Sequence, residues 1–295
     1  MACVQANGIT IEYEEQGTGE PLLLVMGLGG QLIDWPPDLI QMLVDNGFRV
    51  IRFDNRDSGL STEFADQAPP SRRQLAKAVV LRRDLPSPYS LGDMAADAVG
   101  LLDALDVVRA HVVGMSMGGM IAQQIAIDHP TRVASLVSIM STTGNIRVGR
   151  PKASIIARAI RRPDPSPETA VEQGIELFSD ITGPTFDAEA FRELFQADLE
   201  RSYRPHGTAR NFAAILASGD RTEQLEQLDV PTLVVHGLVD TLVRPSGGIA
   251  TAKAIPNARL LMFNDMGHDL PHTRHREIAD AIAANAARAR VATGA

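Results

Sequence analysis

Short, uniformly apolar runs alternate with amphipathic helical patterns along most of this chain, and this alternation restricts the possible fold more than any other feature. Such runs are typical of strands that are buried on both faces of a parallel sheet. Six of them lie at residues 21–27, 49–54, 110–114, 134–140, 232–237 and 258–263. Helical patterns occur at 38–46, 91–105, 117–129 and 275–290. The alternation predicts an α/β chain with helices on both faces of a mostly parallel, doubly wound sheet.

Two features complete the predicted architecture. Asn7-Gly8 separates two strand-like segments at the start of the chain, and this dipeptide is a strong signal for a tight hairpin. Between the fourth and fifth apolar runs the rhythm breaks, because 168–178, 188–202 and 208–218 have helical patterns but no strand accompanies them. We therefore predict an eight-stranded sheet in a core formed by 1–141 and 229–295, with a helical cap inserted at 142–228.

Composition excludes several other classes of protein. The chain has 295 residues, a net charge of −8 and a single cysteine, Cys3. A net negative charge gives no overall field that would attract nucleic acid, and one cysteine forms neither an internal disulfide nor a thiolate metal cluster. The amino terminus lacks a signal-peptide pattern, and the longest apolar run, 22–26, is too short to cross a membrane. We expect a cytoplasmic protein without stable membrane insertion or a nucleic-acid partner.

A candidate nucleophile follows the third apolar run. The segment Gly114-Met115-Ser116-Met117-Gly118 is a G-x-S-x-G pattern with a strand before it and a helix after it. This strand-turn-helix context holds a serine above the sheet, and glycines at the flanking positions avoid collisions within the sharp turn. A serine hydroxyl needs a histidine base, and the histidine needs a group that orients it. The pattern therefore predicts that Ser116 has two partners further along the chain.

Both partners are expected in the loops that follow later strands, the acid before the histidine. Asp240 follows the run at 232–237, and His268 follows the run at 258–263. The carboxyl ends of parallel strands meet at one edge of a sheet, so these side chains are expected near Ser116. Asp265 and Asp269 are rival acids, but they belong to the histidine's own loop. We predict Ser116, Asp240 and His268 as catalytic residues.

Seven histidines are present, and most have simpler roles in or beside predicted strands and helices. His272 and His275 are the nearest rivals of His268, and the three form an H-x3-H-x2-H spacing that could also hold a metal ion. Pro271 makes a continuous helix across this run unfavourable, and no carboxylate or cysteine motif joins it in sequence. The sequence therefore predicts no bound metal.

The glycine-rich segment 26–30 is expected to supply part of an oxyanion hole. A tetrahedral oxyanion requires two backbone N–H donors, and we predict those of Leu28 and Met117. The alternative is a dinucleotide-binding G-x-G-x-x-G fingerprint beginning at Gly27. Leu32 stands where its last glycine belongs, so no cofactor is predicted.

Together these motifs resemble the α/β-hydrolase superfamily over nearly the whole chain outside the predicted cap. The segment 53–61 is similar to the family's D-x-R-G-x-G-x-S turn, although Asp57 replaces its first glycine. Met26 likewise replaces the histidine that commonly precedes the oxyanion glycine. Both departures, together with Trp35 after the oxyanion loop, resemble ester hydrolases of the aclacinomycin methylesterase type. The resemblance implies a triad of Ser116, Asp240 and His268.

The expected activity is that of a serine carboxylesterase acting on a small, apolar ester. Related acyl chemistry leaves carbon-carbon hydrolase, lactonase, thioesterase and perhydrolase activities open on the same residues, and a slow-turnover ligand receptor is a further alternative. The candidate pocket residues are aromatic and lie mostly in the predicted cap: Trp35, Phe178, Phe191, Phe195 and Phe212. Packing of the cap against the core would explain the phenylalanines equally well, and Trp35 would equally well anchor the first predicted helix. A basic stretch at 147–162 is interpreted as a solvated face of the cap.

Overall fold

A computed structural model describes residues 1–81, 85–161 and 166–293. The strands are β1 Ala2–Ala6, β2 Ile9–Gln16, β3 Glu20–Val25, β4 Phe48–Phe53, β5 Ala110–Met115, β6 Val133–Ile139, β7 Thr232–Gly237 and β8 Arg259–Phe263. The helices of the core are α1 Pro37–Asp45, α2 Arg72–Leu81, α3 Leu91–Ala104, α4 Met117–Asp128, α10 Ser246–Ala254 and α11 His275–Thr293. Between β6 and β7 lie α5 Ala153–Arg161, α6 Pro167–Ile181, α7 Ala188–Arg201, α8 Pro205–Ala217 and α9 Thr222–Leu225.

The eight strands form one sheet in the order β1-β2-β4-β3-β5-β6-β7-β8. β2 pairs antiparallel with both β1 and β4, and the pairs from β4 to β8 are parallel. The hairpin between β1 and β2 turns at Asn7 and Gly8, whose φ angles of 48° and 77° are those of a tight turn with a left-handed backbone. The predicted eight-stranded, mostly parallel sheet is confirmed.

Each face of the sheet is covered by its own hydrophobic cluster. One cluster joins the strands to α3 and α4, and includes Leu101 and Ile121, which are fully buried. The opposite cluster joins the strands to α1 and α11, and includes Leu39 and Ile278, which are also fully buried. The central strands are therefore apolar on both faces, as the sequence pattern requires for a doubly wound sheet.

The sequence pattern does not predict helix α10, which is part of the core. It contains Gly247 and Gly248, which are unfavourable in a helix interior and weaken the helical pattern. The packing explains them, because a Cβ at Gly248 would overlap the buried ring of His236 in β7. In the described part of the chain, no helix has the length and apolar character of a membrane span.

Candidate active site

Ser116 lies at the sharp junction between β5 and α4. Its φ of 56° is in the left-handed region, which is uncommon for a residue with a side chain. Two hydrogen bonds hold this conformation: the Ser116 N–H donates to the Ile139 carbonyl (2.9 Å), and the Ser141 hydroxyl donates to the Ser116 carbonyl (2.8 Å). A Cβ at Gly114 would overlap the carbonyl oxygen of Gly118, so the close turn requires glycine there.

A continuous chain of hydrogen bonds connects the three predicted catalytic side chains. The Ser116 Oγ lies 2.9 Å from His268 Nε2, and His268 Nδ1 lies 2.7 Å from Asp240 Oδ2. Asp240 and His268 are buried, with 2% and 6% of their surface exposed. Since Asp240 accepts the Nδ1 proton, Nε2 is left as the basic nitrogen that faces the serine hydroxyl.

The loop after β7 holds the Asp240 carboxylate in one orientation. Its second oxygen, Oδ1, accepts the backbone N–H groups of Leu242 and Val243, both at 2.9 Å. Behind it, His236 Nε2 donates to the Val243 carbonyl at 2.7 Å. Burial lowers the pKa of His236, which keeps this imidazole neutral beside the carboxylate. Asp240 can therefore orient His268 without rotating.

The two rival acids have other partners. Asp265 forms an ion pair with Arg274 at 2.9 Å. Asp269 accepts the backbone N–H groups of Gly267 (3.0 Å) and Gly183 (3.3 Å). Burial raises the pKa of Asp269, although these two hydrogen bonds act in the opposite direction. The structure thus brings Asp240, and neither rival, to the Nδ1 of His268.

The predicted oxyanion segment lies directly against the serine. A Cβ at Gly27 would come within 3.2 Å of the Ser116 Cβ, which shows how closely the two backbones approach. Met117 begins α4, so its N–H is one of the unpaired donors of a helix amino terminus. Within the described residues, neither the Leu28 nor the Met117 N–H donates to a protein acceptor.

The turn after β4 holds the oxyanion segment in position. Asp54 accepts the N–H of Leu32 through Oδ1 (2.7 Å) and the N–H of Leu60 through Oδ2 (2.8 Å). The neighbouring Asn55 side chain donates to the Met26 carbonyl at 3.0 Å. Asp54 and Asn55 are both buried. The Asp54 and Asn55 side chains therefore fix the backbone on both sides of the oxyanion segment, which explains why the turn has polar residues here.

Asp57, the departure from the family's turn pattern, connects this turn to α8. It has a φ of 66°, and its carboxylate receives Arg210 through two hydrogen bonds of 2.7 and 2.8 Å and the Tyr89 hydroxyl at 2.5 Å. Burial alone would raise the pKa of Asp57, but the hydrogen bonds from Arg210 and Tyr89 outweigh it and lower the pKa. Arg210 and Asp57 are both almost fully buried, so the pair is part of the core.

A second contact joins α7 to the segment that follows the oxyanion loop. Arg201 pairs with Asp54 at 2.8 Å, and the Gln31 side chain donates to the Asp198 carbonyl at 2.8 Å. The Asp198 carboxyl group lies within hydrogen-bonding reach of the buried Asp34 carboxyl group. Burial raises the pKa of Asp198 to about 9, and the nearby Asp34 charge adds to this effect. Asp198 is therefore protonated at neutral pH, and one proton is shared between the two carboxyls.

The end of α6 packs on the loop that carries His268. The His268 N–H donates to the Ile181 carbonyl at 2.7 Å, and the Thr241 hydroxyl donates to the Asp180 carbonyl at 2.8 Å. Sequence reasoning missed these contacts, because the bonds are made by backbone carbonyls whose residue type carries no signal. The inserted helices thus contact both the histidine loop and the acid loop.

The residues predicted to line a pocket have packing partners of their own. Trp35 is fully buried in the hydrophobic cluster under α1. This position agrees with the alternative prediction that Trp35 anchors the first helix. Three half-buried phenylalanines, Phe178, Phe191 and Phe195, contact one another at ring-centroid distances between 5.0 and 5.7 Å. They join α6 to α7. Phe212 lies apart from them on α8 and is half-buried.

The basic stretch is exposed at several positions, and one of its side chains is also paired. Arg150, Lys152 and Arg158 are exposed, and Arg158 pairs with Asp180 at 2.9 Å. Lys152 and Arg158 line a small cavity together with Asp180 and Thr241. Arg162 lies outside the described residues.

Comparison with known proteins identifies the family. A model of the alpha/beta hydrolase fold matches residues 20–274. The rhodomycin D methylesterase DnrP of Streptomyces peucetius is 29% identical over an alignment of 297 residues, covering 92% of this chain and 93% of that protein. The 2-hydroxy-6-oxononadienedioate/2-hydroxy-6-oxononatrienedioate hydrolase 1 of Pseudomonas putida is 29% identical over 271 residues, covering 88% of this chain and 86% of that protein.

Solved structures give the same result for the fold. The meta-cleavage product hydrolase CumD of Pseudomonas fluorescens IP01 superposes with a TM-score of 0.76 at 21% sequence identity, covering 98% of both chains. At this identity the likeness is one of fold alone. With the family match over most of its length, the chain belongs to the alpha/beta hydrolase fold family.

Proposed function

We propose that the protein is a serine carboxylesterase that hydrolyses small carboxylic esters through an acyl-enzyme. The observation that carries this proposal is the hydrogen-bond chain from Ser116 through His268 to Asp240, at 2.9 and 2.7 Å, on a strained strand-to-helix turn. This arrangement has a nucleophile, a base within reach of its proton and a carboxylate that orients the base. The similarity to rhodomycin D methylesterases favours an ester as the substrate.

In the acylation step, the Ser116 Oγ attacks the ester carbonyl carbon while its proton moves to His268 Nε2. The carbonyl oxygen becomes an oxyanion, which the N–H groups of Leu28 and Met117 stabilise. The positive end of α4 points at the same position and adds to this stabilisation. When the intermediate collapses, the bond to the alcohol oxygen breaks, and Nε2 gives its proton to the leaving alcohol.

Deacylation repeats the sequence with water as the nucleophile. His268 Nε2 takes a proton from the water, and the hydroxide oxygen attacks the acyl carbon. Collapse of the second oxyanion breaks the bond to the Ser116 Oγ, which recovers its proton from Nε2. Asp240 stabilises the imidazolium in both steps and keeps its own charge.

Residues 142–228 form the cap in this proposal, and its underside supplies an apolar pocket for the ester. The aromatic groups of α6 and α7 are only half-buried, so apolar surface remains beside their mutual contacts. Phe178, Phe191, Phe195 and Phe212 remain the proposed contacts with substrate. Trp35 is fully buried in the cluster that also contains Met26 of the oxyanion segment, so it would act on the pocket through packing. No cofactor or metal takes part in the proposed reaction.

The test is a chain-length series of p-nitrophenyl esters with wild type, Ser116→Ala and His268→Ala. We expect either substitution to reduce kcat by a factor on the order of 10³ or more. A fluorophosphonate probe should label the wild type at Ser116 and leave Ser116→Ala unlabelled. Ser179→Ala is the matched control, because the hydroxyl of this exposed serine donates to the Glu176 carbonyl of its own helix α6. This variant should retain both turnover and labelling. Undiminished turnover in Ser116→Ala would contradict the proposal.

A second candidate is hydrolysis of a non-ester substrate on the same three residues. It is favoured by the similarity to the Pseudomonas putida hydrolase, whose named substrates are dienedioates and trienedioates with 2-hydroxy and 6-oxo groups. Labelling of Ser116 by the fluorophosphonate, combined with no turnover of any ester, would support this candidate. Turnover of such a dicarboxylate with loss in Ser116→Ala would then identify it.

A further inference from the structure

A second cluster of histidine and carboxylate side chains lies where the starts of α1 and α11 meet. Asp38 is in the first turn of α1, His272 is in a short 3₁₀ turn at 272–274, and His275 is the first residue of α11. One donor atom from each of the three lies within 4.8 Å of the others. None of these residues takes part in the hydrogen-bond chain at Ser116. No carboxylate motif joins the histidine run in sequence, but the fold brings Asp38 to this position.

His275 has a buried ring nitrogen without a hydrogen-bond partner. Its Nε2 donates to the Leu270 carbonyl at 2.9 Å, which fixes the tautomer and leaves a lone pair on Nδ1. Nδ1 is buried and has no partner within the described residues, in a side chain that is only 4% exposed. A neutral imidazole held by a backbone carbonyl is the usual state of a metal-ligating histidine.

The other two side chains are exposed and able to adjust. His272 Nε2 lies 2.9 Å from Asp38 Oδ2, with the side chains 77% and 59% exposed. Ligand atoms around a tetrahedral zinc ion lie roughly 3.4 Å apart, so small rotations of these two groups would admit the ion. The positive ends of two helices oppose a cation at this position, and the Asp38 carboxylate offsets them. Arg274 lies between the two histidines in sequence, but it forms ion pairs with Asp265 and Glu277. Its positive charge is therefore not paired with the Asp38 carboxylate.

We propose that Asp38, His272 and His275 form a binding site for a divalent transition-metal ion of the zinc class. Two imidazole nitrogens and one carboxylate oxygen match the ligand preferences of Zn²⁺, and water would complete a tetrahedral site. Mg²⁺ and Ca²⁺ require a larger set of oxygen ligands than this cluster offers. The ion would connect the start of α1 to the start of α11, next to the loop that carries His268.

The experiment uses the full, untagged chain after treatment with a chelator. Calorimetric titration with ZnCl₂ should give one equivalent bound by wild type, and His272→Ala or Asp38→Asn should weaken the Kd at least tenfold. Because both residues are exposed, these variants should fold normally. Zinc should also raise the Tm of wild type, and this increase should be smaller or absent in the two variants. With Co²⁺, wild type should show a visible absorption band that both variants lack.

Two control variants distinguish this site from other histidines. His206→Gln changes an exposed histidine on α8, and His268→Gln removes the histidine next to Ser116. Both should bind zinc with the wild-type Kd. Absence of binding by wild type at millimolar zinc would overturn the proposal. An unchanged Kd in both Asp38→Asn and His272→Ala, or loss of binding in either control variant, would overturn it equally.

Discussion

At the scale of single residues, the backbone of Ser116 and the surroundings of Asp240 are the features with the clearest chemical consequences. The left-handed φ of Ser116 costs roughly 1–3 kcal/mol, and the bonds to Ile139 and Ser141 hold the residue in that conformation. Asp240 accepts three hydrogen bonds, of which two come from its own loop and one from His268. The carboxylate is therefore oriented before any substrate binds, which reduces the reorganisation needed during the reaction.

We predict that Asp240→Asn reduces kcat for a p-nitrophenyl ester by roughly 10³- to 10⁴-fold. An amide at this position can present its NH₂ group to His268 and favour the wrong tautomer, in which Nε2 carries the proton. Asp269→Asn is the comparison, because that carboxylate bonds backbone N–H groups instead of the imidazole. Steady-state kinetics of the two variants should show a much larger loss for Asp240→Asn. A larger loss in Asp269→Asn would assign the orienting role to the other acid.

At the scale of secondary-structure elements, α7 contacts the segment that follows the oxyanion loop through the carboxyl groups of Asp198 and Asp34. Asp34 and Asp198 each have a buried carboxyl oxygen that no other group in the described part of the chain hydrogen-bonds. Both folded-state pKa values are raised above the ordinary value of 3.8, Asp34 to about 6 and Asp198 to about 9. The folded chain therefore binds more protons at this site than the unfolded chain does above pH 4. The stabilisation is complete below the unfolded pKa and is lost as the pH rises through the folded values.

This linkage predicts how stability depends on pH in an Asp198→Asn variant. An amide can donate the same hydrogen bond to Asp34 without losing a proton. Urea denaturation between pH 5 and 9 should show the free energy of unfolding of wild type falling relative to that of the variant as the pH rises. Asp187→Asn is a control, since this exposed carboxylate caps the same helix outside the pair. A constant difference between wild type and Asp198→Asn across this pH range would contradict the shared proton.

At the scale of the whole molecule, the helices between β6 and β7 contact the two loops that carry His268 and Asp240. The end of α6 approaches the histidine loop so closely that a Cβ at Gly183 would overlap the Asp265 carbonyl oxygen. The His268 N–H also donates to the Ile181 carbonyl across the same contact. A displacement of α6 is therefore transmitted directly to His268. We therefore expect the position of α6 and the orientation of the His268 imidazole to be coupled.

We predict that Gly183→Ala lowers kcat by about tenfold or more, because a 1 Å displacement of a catalytic group can cost about 10²-fold. The extra methyl group forces α6 and the histidine loop apart. Gly92→Ala is the matched control, since its methyl group would lie 3.3 Å from the Ser90 hydroxyl and 3.8 Å from the Asp128 carboxylate, outside the histidine loop, and α3 gains helix propensity. Kinetics and thermal denaturation should show a loss of kcat and Tm in Gly183→Ala and an unchanged kcat in Gly92→Ala. A wild-type kcat in Gly183→Ala would contradict the coupling between α6 and His268.

The sheet, the hairpin and the serine turn could all be predicted from the sequence, because each depends on neighbouring residues. Uniformly apolar runs, period-3.6 apolar patterns, the Asn7-Gly8 turn and the glycines around Ser116 act over a few positions. Helix α10 was missed for the same reason, since its glycines contradict local helix propensity and only their packing on His236 explains them. The assignment of Ser116, Asp240 and His268 drew on chain order together with the common edge of a parallel sheet.

Tertiary packing alone decided the contacts between distant positions. Asp38 and His272 are 234 positions apart, and Asp57 and Arg210 are 153 positions apart, so no local pattern connects either pair. Likewise, no local pattern connects Asp34 with Asp198, or His268 with the Ile181 carbonyl that accepts its backbone N–H. Local propensities act along the chain, whereas burial and hydrogen bonding act through space once the sheet and the helices have packed. The charges and the neighbours of each side chain are consequently properties of the folded molecule.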